Sequence, residues 1–210
     1  MSVAATPSTR NGSDQADIRR QQILAAAVEC ISAKGYEGVR LRDVSKAAGV
    51  SIGLIQHHFE SREELLEYAI RHASAQLAQR FHAVGDEMAD PWERIEALIE
   101  QWCALSDIRA HSRLWLEFAG AASKYPQLQP HLMEVYQNWD SYVRRAVQDG
   151  TAAGTLEPAM PIDDVMAVFM AYFDGYEFDI ATGLIDDDTA ALRRRTVHLA
   201  RALFQPENMP

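Results

Sequence analysis

The chain is 210 residues long, 48% hydrophobic, and carries a formal net charge of −10. That length holds one large domain or two modest ones, and the apolar content excludes general disorder. No apolar run reaches the roughly 18 residues of a membrane span, and no secretory hydrophobic segment opens the chain. The two cysteines, Cys30 and Cys103, are isolated and lack metal-ligand spacing, which fits buried thiols in a reducing cytoplasm.

The charge is unevenly spread. Residues 1–60 hold seven Lys/Arg against six Asp/Glu, whereas the remainder holds thirteen against twenty-four. Attraction for phosphates therefore has to come from the first part of the chain, locally.

Residues 1–16 are small and polar, without periodicity, and read as a disordered arm. Asp17 is a candidate cap for a helix whose apolar positions Ile23, Leu24, Ala27, Val28 and Ile31 form one stripe. Arg19 and Arg20 lie off that stripe, either near a phosphate backbone or in solvent, and Gly35 ends the helix. The spacing then predicts a helix over 41–48, with Leu41, Val44, Ala47 and Ala48 facing inward. Gly49 suits a tight interhelical turn, because it takes positive φ without a Cβ clash. Ser51 caps a second short helix to about His58, with Leu54 and Ile55 inward and Ile52, Gly53, Gln56 and His57 outward. Gly53 costs such a helix about 1 kcal/mol relative to alanine, so close approach of a partner would explain it.

Ser61, with Glu64 three residues on, forms a capping box that opens a strut helix over 61–84. Beyond it the chain reads as helix after helix. Asp90-Pro91-Trp92-Glu93 supplies a cap, an N1 proline and an acidic first turn; residues 108–124 form the next helix; Pro126 opens a longer one ending near Gly154. Residues 162–183 are almost continuously apolar, and an acidic run at 186–188 suits the start of a last helix to about 204. No strand-like alternation occurs. The expected fold is all-α, with a helix-turn-helix domain over 17–66 and a larger helical ligand-binding and dimerisation domain over 67–205.

Gly35-Tyr36, Asp43-Val44, Ala48-Gly49-Val50-Ser51, Gly53-Leu54-Ile55, His58-Phe59 and Ser61-Arg62-Glu63-Glu64-Leu65 together resemble the DNA-binding domain of the TetR family of repressors. The likeness spans about 18–70, is most similar to the choline-responsive subgroup, and extends more loosely over 113–205. It implies that residues 51–58 enter the major groove of double-stranded DNA, with Ser51, Ile52, Gly53, Gln56 and His57 facing it. Gln56 is suited to adenine. His58 and Arg62 match positions that hold backbone in this family, and Arg42 suits either task. Two departures stand out. Arg40 replaces the usual Thr or Ser cap, which loses the cap bond but offers a phosphate contact. Gln56 stands where many members have tyrosine, so the operator sequence is not transferable; a solvated Gln56 is the bland alternative.

One recognition helix reads about four base pairs, so such modules act as twofold dimers on palindromes. Residues 162–204 are the expected homodimer interface. Trp102, Trp115, Phe118, Trp139, Tyr142, Tyr172 and Tyr176 exceed what one small core requires, and suggest an effector chamber among helices. Glu117, Asp174 and Glu177 lie embedded in these aromatic segments. A cationic or aromatic effector would balance buried carboxylates through charge and cation–π contacts; solvated or arginine-paired carboxylates are the alternative. No cofactor is expected. An all-α enzyme lacks HExxH, ExxH, GxSxG and GK[ST] signatures, and a metal sensor using His72, His82, His111 or His131 lacks cysteine partners and repeated i, i+4 spacing. The expectation is a ligand-released repressor, with an activator of the same fold as the alternative.

Overall fold

The computed structural model describes residues 10–105, 107–186 and 188–206, with the side chains of 10–14, 82 and 84–87 left out. Residues 1–9 of the expected arm, Asp187 and the His82 side chain lie outside the described residues. Among the described residues there are nine α-helices, one short 3-10 turn and one isolated bridge between Leu156 and Pro206. None of these helices is long and apolar enough to cross a membrane. The chain divides into two compact units, Met1–Ala73 and Ser74–Pro210.

The first unit holds α1 (Arg10–Lys34), α2 (Leu41–Ala48), α3 (Ile52–His58) and the start of α4 (Arg62–Glu87). α1 begins at Arg10, so residues 10–16 continue the helix instead of forming the end of an arm. No proline interrupts that polar stretch, and Asp17 lies inside the helix. Of the expected stripe on α1, Ile23, Leu24, Ala27 and Ile31 are buried and Val28 is half-buried; Tyr36, Val39, Val44, Ile55 and Phe59 of the same unit are buried too. Ala47, expected inward, is exposed. It falls on the outer side of a two-turn helix whose single fully buried position is Val44.

Gly49 closes α2 with φ +66°, and its N–H donates to the Ser45 carbonyl. Ser45 Oγ donates to the Val50 carbonyl at 2.6 Å, which pins the turn from its other side. Arg40 supplies no side-chain cap to α2. Asp43 compensates from within the helix: its Oδ2 accepts the Arg40 N–H at 3.0 Å and its Oδ1 accepts from Lys34 Nζ at 2.6 Å. That pair of acceptor bonds holds the Asp43 carboxyl below its ordinary range, chiefly through Lys34. Ser61 Oγ accepts the Glu64 N–H at 3.1 Å, and Glu64 reaches back to the Glu60 N–H at 2.5 Å.

The second unit contains α5 (Pro91–Cys103), α6 (Ile108–Lys124), α7 (Gln129–Ala153), α8 (Ile162–Thr182) and α9 (Thr189–Phe204). Pro126 opens a 3-10 turn over Pro126–Leu128, and α7 starts only at Gln129. The core comprises Leu77, Phe81, Trp92, Ile95, Ile99, Trp102, Val143, Val147, Val165, Phe169, Leu192 and Phe204 with their neighbours. Gly150 lets α7 pass the Leu156 side chain, because a Cβ there would lie 2.5 Å from Leu156 Cδ1. The segment after α7 then folds over the end of α9, where Glu157 N–H and Ala159 N–H donate to the carbonyls of Phe204 and Leu203. Those are acceptors the helix end would otherwise leave open.

α6 and α8 are held in antiparallel register at one end by arginines. Arg109 Nη1 donates to the Ile180 carbonyl at 3.1 Å and Arg113 Nε to the Ala181 carbonyl at 3.5 Å. These serve the last carbonyls of α8 with positive charge, where the helix dipole favours it.

Candidate functional site

α3 is positioned by its buried side. Ile55 has no exposed surface and Phe59, just past the helix, is 2% exposed. Ser51 caps the helix by accepting the Leu54 N–H at 3.1 Å. The opposite face presents Ile52, Gly53, Gln56 and His57 to solvent, with Ser51 exposed beside them and His58 half-buried. The His57 and His58 rings meet edge to face at 5.4 Å. A Cβ added at Gly53 would find only Ser51 Oγ, at 3.9 Å. The protein's own packing therefore leaves that position open. Arg40 and Arg42 are exposed at the start of α2.

Arg62 is used differently from the phosphate-facing residue that the resemblance implies. Its Nε donates to the Val39 carbonyl at 2.6 Å, Nη2 donates to the Tyr36 carbonyl, and Nη1 pairs with Glu63 at 2.9 Å. The guanidinium lies 5.4 Å from the Tyr36 ring centroid. These bonds use three of the five N–H donors of Arg62 inside the unit, where they tie the start of α4 to the loop between α1 and α2. Arg20 is likewise turned inward, over the rings of Phe59 at 5.3 Å and Tyr68 at 4.7 Å.

In the second unit the aromatic candidates gather around a residue that composition did not single out. Phe173 meets Trp102 at 4.5 Å, Trp139 at 6.1 Å, Tyr172 at 6.1 Å and Phe169 at 4.9 Å. The i, i+4 run Phe169, Phe173, Glu177 on α8 is the signal that points to it. Tyr172 and Tyr176 stack at 4.7 Å. Trp115 and Phe118 form a second pair at 6.2 Å, and Trp115 hydrogen-bonds Asp174. Tyr142 packs half-buried on the main core.

The carboxylates differ. Glu177 is 7% exposed, and its Oε1 accepts the Trp102 Nε1–H at 2.8 Å. His111 Nε2 approaches the same oxygen at 3.8 Å. Oε2 is buried and has no hydrogen-bond partner among the described residues. Asp174, three residues earlier, keeps part of its surface exposed. Crowding by protein atoms raises its pKa, the Trp115 bond opposes that, and the charge of Glu177 adds to the rise. The Asp174 charge also helps to raise the Tyr136 phenol, behind burial as the main cause. Glu117 is half-buried and engaged in interactions of its own. Four helices, α5 to α8, thus bring Trp102, His111, Trp115, Tyr136, Trp139, Phe173, Asp174 and Glu177 into one aromatic, acidic region. From the sequence, His111 enters only as a candidate metal ligand, and Phe173 is not counted among the chamber residues. Among the described residues no group of three or more His, Cys, Asp or Glu is placed to hold a metal ion.

A short capped helix with one buried and one open face, paired across a glycine turn with a helix before it, is a helix-turn-helix. Followed by a second helical unit with an acidic aromatic region, it gives a two-unit helix-turn-helix architecture. Residues 23–69 match the family described as bacterial regulatory proteins, tetR family, and residues 91–205 match the BetI-type transcriptional repressor C-terminal domain. The chain belongs to the TetR family and carries a BetI-type C-terminal domain. It is 34% identical over 116 residues to the HTH-type transcriptional regulator BetI of Yersinia pestis, a match covering 53% of this chain and 58% of the relative. The chain thus spans little more than half the length of the curated relative it matches. A transcriptional regulator from Saccharomonospora viridis in complex with choline superposes with a TM-score of 0.81 at 22% identity, covering 90% of this chain and 98% of that one. The regulator FadR of Bacillus subtilis in complex with stearoyl-CoA gives 0.71 at 21%, covering 85% and 96%. At these identities the two structures establish the fold.

Proposed function

We propose that the protein is a cytoplasmic, dimeric repressor that binds a palindromic operator and is released from it by a small cationic effector. The observation that carries the DNA reading is the open face of α3. Ile52, Gly53, Gln56 and His57 are exposed on a helix whose other side is locked by Ile55 and capped by Ser51. Gln56 and His57 read base edges, Arg40 and Arg42 neutralise phosphates, and Arg62 acts by holding the scaffold together.

The exposed side of α8 supports a homodimer through residues 162–204. Val168, Phe178 and Leu184 are 44%, 47% and 69% exposed, and the small residues Ala167, Ala171 and Gly175 lie exposed beside them. Apolar side chains so displayed favour burial against a second copy. The effector reading rests on Glu177 and Asp174 within the aromatic region, whose negative charge and ring faces complement a cation. The choline bound by the Saccharomonospora viridis regulator is consistent with that class. Release follows if the effector binds better to the state that holds DNA poorly.

The test is a gel shift on DNA upstream of the protein's own coding region, with a Gln56→Ala/His57→Ala variant alongside. Specific binding by the parent, its loss in the variant, and release by a choline-like cation are expected. Unaltered specific binding by the variant would overturn the assignment of α3.

A further inference from the structure

We infer that the preferred effector is a tertiary ammonium, carrying a single N–H directed at Glu177 Oε2, and not a fully alkylated cation. This rests on the reading of the Glu177 region as a cation site, and it concerns which cation. The two oxygens of Glu177 have opposite surroundings. Oε1 accepts from Trp102 at 2.8 Å and faces His111 at 3.8 Å, whereas Oε2 receives no donor among the described residues. Both belong to a residue that is 7% exposed.

A buried carboxylate oxygen gains most from a donor that is itself charged, because such bonds are short and about twice as strong as neutral ones. A quaternary nitrogen presents only methyl groups. It would neutralise the charge and rest against ring faces, yet leave Oε2 without a hydrogen bond. A primary ammonium errs the other way, bringing three donors to a buried oxygen that calls for one, among aromatic rings. The remaining two would lose their water with nothing in return. One open oxygen on the carboxylate held by Trp102, whose ring in turn meets Phe173, matches one N–H and otherwise apolar substituents. Asp174, three residues before Glu177 on α8 and bonded to Trp115, adds a second carboxyl that favours a cation in this region.

The test compares cations that differ by one methyl on nitrogen: N,N-dimethylbenzylammonium against N,N,N-trimethylbenzylammonium, and N,N-dimethylethanolammonium against choline. Affinities for the full chain are measured calorimetrically at neutral pH, where all four are charged. The expected result is binding about tenfold tighter for each N–H member, with the preference reduced to under about threefold in Glu177→Gln. The amide of Glu177→Gln can still accept from Trp102, and its melting curve checks that it folds. Equal or tighter binding of the methylated members by the parent chain would overturn the inference while leaving the cation reading intact. A preference undiminished in Glu177→Gln would overturn the assignment to Oε2. Binding by none of the four would remove the cation reading itself, and this inference with it.

Discussion

Trp102 Nε1 donates to Glu177 Oε1 at 2.8 Å, a bond between two buried side chains 75 residues apart in the chain. It joins α5 to α8 and fixes which carboxylate oxygen remains open. Trp102→Phe keeps most of the ring volume but deletes the donor, leaving a buried carboxylate without its partner. The expected loss is about 1–3 kcal/mol of stability. Trp92, Trp102, Trp115 and Trp139 all lie in the second unit, so tryptophan fluorescence in a urea titration reports that unit. Combining the change with Glu177→Leu should cost less than the sum of the single changes, because the second removes the stranded charge.

Arg62→Ala should act first on stability. It deletes donors to the Val39 and Tyr36 carbonyls and a ring contact, and charged hydrogen bonds of this kind are worth about 1.5–3 kcal/mol each. Arg62→Lys should not restore it, since one ammonium cannot reproduce the guanidinium fork. Phosphate contacts read out separately. Arg40→Ala and Arg42→Ala should each flatten the slope of log K against log salt by about 0.9, without altering the melting of the parent fold. An Arg62→Ala slope as flat as theirs would restore Arg62 to the phosphate contacts.

Gly53→Ala should separate folding from binding. A Cβ at this position meets nothing closer than 3.9 Å within the protein, so the helix gains about 0.5–1 kcal/mol. Operator affinity should fall, because the added methyl stands on the face proposed to meet DNA. Improved melting with unchanged operator affinity would show that DNA does not approach this backbone.

Asp43 gives the first unit an acid limit. Its carboxyl is held below the ordinary value of 3.8, first by Lys34 and then by the Arg40 N–H. A depressed folded-state value means that the unfolded chain binds the proton more tightly, so the contribution is present above 3.8 and is lost as pH falls through the folded value. Asp43→Asn should lower melting at neutral pH and remove that part of the acid sensitivity, measured by circular dichroism. Asp174 runs in the opposite direction. Its raised value means that its contribution to stability falls as pH climbs from 3.8 through the folded value.

The short helices were legible because their ends are written locally. Gly49 and Ser51 mark the turn and cap of α2 and α3, and Ser61 with Glu64 marks the start of α4. The start of α1 was not, because Asp17 resembles a cap while the polar residues before it are equally able to continue a helix. The role of Arg62 was hidden for a different reason. Its acceptors are main-chain carbonyls of Tyr36 and Val39, and carbonyls carry no residue identity. The embedded carboxylates were visible as residues, but burial of Glu177 and partial exposure of Asp174 depend on how α8 is rotated against α5 and α6. Phe173, the centre of the ring contacts, looked like one apolar residue among many in a continuous run.

The arginines of α6 have a use for protein engineering. Arg109 and Arg113 hold α6 against the carbonyls at the end of α8, while His111 and Trp115 on the same helix meet Glu177 and Asp174. The fasteners and the proposed recognition chemistry are different side chains on shared helices. A biosensor library that randomises 111, 115, 174 and 177 can therefore explore new inducers while those two helix-end attachments stay in place.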